Sequence, residues 1–87
     1  MSLFHLQIVT ADGLFYDGNA EKISLRSIGG DVCIMANHMN YVTALGKGDC
    51  RVTDGEGTTR SAQCSGGMLA VQNNEVRIVA STFGWAE

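Results

Sequence analysis

The sequence predicts an all-β domain, a flattened antiparallel β-sandwich or barrel of about ten short strands. Three observations carry that expectation. Apolar and polar residues alternate in short runs, the pattern of a strand with one buried face. Turn signals built on glycine, aspartate and asparagine recur at roughly ten-residue intervals, as in sandwiches and barrels. No stretch sustains the apolar period of about 3.6 residues that an ordinary helix needs.

The elements follow in order. In Phe4-His5-Leu6-Gln7-Ile8, Phe4, Leu6 and Ile8 point one way and His5 and Gln7 the other. Ala11-Asp12-Gly13 turns the chain, and Leu14-Phe15-Tyr16 opens a run that Asp17-Gly18 is expected to break. Ile23 and Leu25 then alternate with Lys22, Ser24 and Arg26, up to a break at Gly29-Gly30-Asp31. Val32 to Met35 is a short apolar strand, separated by Asn37-His38-Met39-Asn40 from the strand Tyr41 to Leu45. Gly46-Lys47-Gly48 leads into Cys50 to Thr53, and Asp54-Gly55-Glu56-Gly57 has the chemistry of a hairpin tip. Thr58 to Cys64, Met68 to Val71 and Glu75 to Val79 complete the set, divided by Gly66-Gly67 and Asn73-Asn74.

Composition narrows the function. With 87 residues there is room for one domain, residues 1–87. A hydrophobic content of 45% with 17% charged residues describes a folded chain rather than a disordered one. The net charge is −3, and no run of lysine and arginine exists to hold a phosphate backbone, so nucleic acid is not an expected partner. The longest charge-free stretch, Val32 to Gly46, is too short and too polar to span a bilayer. Met1 to His5 lacks the basic flank and apolar core of an export signal. Three cysteines without a C-x-x-C pair read as buried free thiols, and no metal or cofactor is expected.

Chemistry has few footholds. Most of the carboxylates adjoin glycine or sit at turns, where they serve local hydrogen bonding. Cys33 and His38 are the nearest nucleophile–base pair, but no strained elbow or helix N-terminus is available to activate the thiol. Gly29-Gly30-Asp31 and Ser65-Gly66-Gly67 lack the helix and lysine of a phosphate loop. A docking surface is the better expectation. Gly30-Asp31 and Asn37-His38-Met39-Asn40 flank Val32 to Met35, and folding back of this segment would gather both at one end of the sandwich. Met35 and Met39 would add adaptable apolar surface there.

Five stretches in register resemble the epsilon subunit of F-type ATP synthases. They are Phe4 to Gly18, Gly30 to His38, Tyr41 to Gly48, Ser65 to Gln72 and Val76 to Ala80. The second is similar to a loop of the form G-x-x-G/C-[IV]-[LMY]-P-G-H, and the fourth to S-G-G-[FI]-[LV]-E-V. The resemblance covers residues 4–80. It implies a flattened ten-stranded sandwich and a non-catalytic rotor subunit that links the gamma subunit to the membrane c-ring. By that resemblance Gly30, Asp31, Met35, Asn37, His38 and Met39 face the c-ring, and Thr10, Thr43 and Ala44 face gamma. It also implies a peripheral position on the cytoplasmic side of a bacterial inner membrane, without insertion into the bilayer. The alternative is a stand-alone β-sandwich adaptor for another protein.

The departures are specific. Ala36 and Asn40 replace the prolines of the family loop and Asn37 its glycine, so the loop gives up rigidity. Family members usually continue into a C-terminal helical hairpin that carries inhibitory contacts and, in some, ATP. This sequence stops at Ser81 to Glu87, so neither function is expected of it, and Phe83 and Trp85 are left to cover the sandwich or gamma.

Overall fold

A computed structural model describes residues 3–36 and 40–86. Among the described residues there are nine strands: β1 (Phe4–Thr10), β2 (Gly13–Ser27), β3 (Gly30–Met35), β4 (Tyr41–Leu45), β5 (Gly48–Asp54), β6 (Thr59–Cys64), β7 (Gly67–Gln72), β8 (Glu75–Ala80) and β9 (Phe83–Trp85). The all-β architecture is the one expected, with two changes in its parts: Phe83–Trp85 adds a strand the sequence did not announce, and one expected break is absent. Asp17-Gly18 does not break the chain; β2 runs through it for 15 residues. Tertiary pairing overrides the turn preference here, because Asp17 and Gly18 lie opposite Gln7 and Leu6 in an established ladder with β1.

That length lets β2 serve two layers. Its first half, through Ala20, pairs with β1. Its second half lies between β3 and β5, and the register with β5 shifts between Ala20 and Lys22, where the strand crosses over. One sheet therefore reads β2-β1-β8-β7-β4 and the other β3-β2-β5-β6-β9. Counting β2 in both turns nine strands into ten strand segments, the number the resemblance implies. All pairings are antiparallel except β1 with β8, which run parallel. The contact joins strands from opposite ends of the chain, so local alternation carries no sign of it.

The inner faces meet in one core. Phe4, Leu6, Ile8, Leu69, Val76 and Ile78 come from the first sheet, and Ile23, Ile34, Cys50 and Val52 from the second. Two seams close the layers. At one, the Ile28 N–H donates to the Ala44 carbonyl (3.1 Å) and the Gly46 N–H to that of Arg26 (3.0 Å). At the other, β9 tucks its aromatics under β2, with Phe15 5.3 Å from Phe83 and 5.5 Å from Trp85 between ring centroids. The Arg60 guanidinium caps Trp85 at 3.9 Å. Phe83 is buried, so these aromatics cover the sandwich itself. The extents, 30 × 27 × 23 Å, make the sandwich only slightly flattened.

Candidate functional site

Register on the outer face of the first sheet gathers what no single strand shows. Leu14 lies opposite Val9, Val9 opposite Val79, Val79 opposite Met68, and Met68 opposite Ala44. Directly opposed residues point to the same side of a sheet, so five apolar side chains form one row across five strands, about 19 Å wide. Leu14, Val79 and Met68 are 59%, 50% and 49% exposed, and Val42, two residues from Ala44, is 65% exposed. A contiguous apolar band of this kind on a small domain marks a docking surface.

The same face turns polar toward its other end. Gln7 and Arg77 hydrogen-bond to each other (Nε to Oε1, 2.9 Å), and beyond them His5 sits between two carboxylates. Its Nε2 meets Asp17 Oδ1 of β2, and its Nδ1 lies 3.6 Å from Glu75 Oε1 of β8. The Asp17 hydrogen bond raises the His5 pKa above its ordinary 6.5, and the same bond lowers that of Asp17 below 3.8. The signs give a window. Stability from His5 is complete below pH 6.5 and fades as pH rises through the raised value; stability from Asp17 is complete above pH 3.8 and fades as pH falls through the lowered one. The melting temperature is thus expected to plateau between these pH values and to drop by a few degrees at most on the alkaline side, since the groups are solvent-screened. In thermal melts across pH, His5→Gln should abolish the alkaline drop; an unchanged profile would refute the assignment.

Among the described residues, the two ends of β3 that the sequence assigned to one contact are separated. Gly30 and Asp31 begin β3 and Met35 ends it, so they stand about 16 Å apart along an extended strand. Between the two polar pieces β3 forms a hairpin with β2, and of the second piece only Asn40 is among the described residues. Asp31 pairs with Arg26 (3.3 Å) at the β2–β3 turn, where Ile28 is 76% exposed. Asn37, His38 and Met39 lie outside the described residues. Ala44 belongs to the apolar band, whereas Thr43 is opposite buried Leu69 and faces inward. Thr10 holds its own turn, accepting the Asp12 N–H and donating to the Gly13 carbonyl.

Sequence reading missed Leu14, Val9, Val79, Met68 and Val42. A signal existed in Val79, which continues the outward positions Glu75 and Arg77 of β8 with an apolar residue. The expectation of three buried thiols is corrected at Cys33, which alternation along β3 places on the outside; Cys50 and Cys64 are buried.

Fold and band together describe a β-sandwich domain with an exposed apolar face. Comparison with known proteins gives the family: residues 3–86 match the model for the "ATP synthase, Delta/Epsilon chain, beta-sandwich domain", and the chain belongs to that family. It is 37% identical over 87 residues to the ATP synthase epsilon chain of Caldicellulosiruptor bescii and 41% identical over 86 residues to that of Alkaliphilus oremlandii. It covers 63% of the length of each, and those alignments take in 100% and 99% of this chain. The fold matches a chain in the Euglena gracilis mitochondrial ATP synthase with a TM-score of 0.90 at 21% identity, over 98% of this chain and 54% of that one. A chain in the central stalk and c-ring structure of the Tetrahymena thermophila mitochondrial enzyme matches with a TM-score of 0.75 at 14% identity, over 91% and 63%.

Proposed function

We propose that this chain is a non-catalytic rotor component of an F-type ATP synthase central stalk, joining the gamma subunit to the c-ring. The apolar band carries the reading. It gives a flat strip for a rigid partner, and it contains Ala44, one of the residues the family resemblance assigns to gamma. Thr10 ends β1 beside Val9, so a partner seated on the band also passes over that turn.

The ring contact is drawn on the β2–β3 turn. Ile28 there offers an apolar knob, and Asp31 beside it a carboxylate for cationic groups on the ring. Met35 lies too far along β3 to share that contact. The complex, rather than any inserted segment, would hold the chain at the cytoplasmic face of a bacterial inner membrane. A sandwich with one close-packed core resists shear, which suits a part that passes torque.

The test is direct. Mixed with the cognate gamma subunit at micromolar concentration, the chain should co-elute with it on size exclusion. Two separate peaks would overturn the reading.

A further inference from the structure

Among the described residues, β3 ends its sheet with no strand on its far side. Its six residues pair with β2 in an unbroken ladder from Lys22–Met35 to Ser27–Gly30, and no other strand pairs with them among the described residues. Exposed edges are normally blunted by proline, lysine, a bulge or a covering segment. Gly30–Met35 contains no proline or lysine, and its register does not shift. Its one charge, Asp31, is already engaged by Arg26.

Beside this edge the outer face of the second sheet forms an open groove of about 530 Å³. Ser24 is opposite both Cys33 and Arg51, so Arg51 stands two strands in from the edge, level with Cys33. Asp49 in the groove is bonded to Gln63 and Asp31 to Arg26, while Arg51 has no hydrogen-bond or ion-pair partner among the described residues. Arg51 is therefore the guanidinium of the groove whose donors are left for a ligand.

We propose that β3 is a docking edge, to which the partner seated on the apolar band adds an extended strand carrying a carboxylate for Arg51. The band and the edge meet at one seam of the sandwich. The band ends on β4 at Ala44, and the β2–β3 turn abuts that residue through the Ile28 N–H. The edge would run from the end of the β2–β3 turn, whose exposed Ile28 is left to the ring contact, to exposed Met35. Backbone hydrogen bonds would supply affinity and alternate side chains selectivity. Inward-pointing residues of the added strand would extend the apolar row of Val32 and Ile34, and the outward residue beside Cys33 would look across the groove toward Arg51.

This rests on the gamma-docking reading, and its test separates the two. Cys33 is the reporter: it is exposed, whereas Cys50 and Cys64 are buried and burial pushes the Cys50 thiol up to about 12. Iodoacetamide labelling of Cys33 is expected to slow at least about tenfold when the cognate gamma subunit is bound. Arg51→Glu should weaken that complex about tenfold with an unchanged melting temperature, and Arg51→Lys should restore most of the affinity. If gamma binds while Cys33 reacts at the free rate, or Arg51→Glu binds like wild type, the docking edge is wrong and the band survives. If gamma does not bind at all, both fall.

Discussion

Gly67→Ala is expected to lower the melting temperature by roughly 10–20 °C, the largest effect of any glycine-to-alanine change in this chain. A Cβ at that position would lie 2.0 Å from the Val79 carbonyl oxygen and 2.8 Å from the Ala80 Cα. Those atoms are backbone of β8, and β7 is hydrogen-bonded between β8 and β4, so neither side can yield without breaking a ladder. Only a residue without a side chain lets β7 start where Gly67 sits opposite both Leu45 and Ala80. Gly84→Ala is the control, because a Cβ there meets nothing within 4 Å. Differential scanning fluorimetry of both variants decides it. Similar melting temperatures would mean that β7 can shift, and that Gly67 is not fixed opposite Ala80.

That glycine shows where sequence reading worked and where it stopped. Turn chemistry was legible because it is local. Asp54 caps its own hairpin by accepting the N–H groups of Glu56 and Thr58, and Asn73 and Asn74 take positive φ values of 50° and 64°. Alternation likewise gave the buried faces of β1 and β8. Local rules failed at Asp17-Gly18, where a turn pair was recruited into a strand. Gly18 there faces inward under the Tyr16 ring, and Asp17 faces outward to His5. They failed again at the candidate site. The band exists only once β1 and β8 are set parallel and four registers are fixed, and those are long-range facts. Asp31 and Met35 look close in sequence for the converse reason, since an extended strand carries neighbours apart.

Met68→Glu is expected to weaken gamma binding by about 100-fold or more while leaving the free chain's melting temperature unchanged. Met68 stands in the row between Val79 and Ala44, with half its surface open to water. Glutamate is similar in length, so the free domain gains a solvated charge at no steric cost. In the complex that carboxylate would be enclosed among this chain's apolar Val79 and Ala44, and a buried charge is far costlier than a lost methyl contact. Thr58→Glu adds the same charge at the hairpin tip by Asp54, at the other end of the sandwich, and should bind like wild type. Equal affinities for the two variants in isothermal titration would show that charge on the band is irrelevant and that gamma docks elsewhere. A loss confined to Met68→Glu, with both variants melting together, ties binding to the band alone, because neither net charge nor stability then distinguishes them.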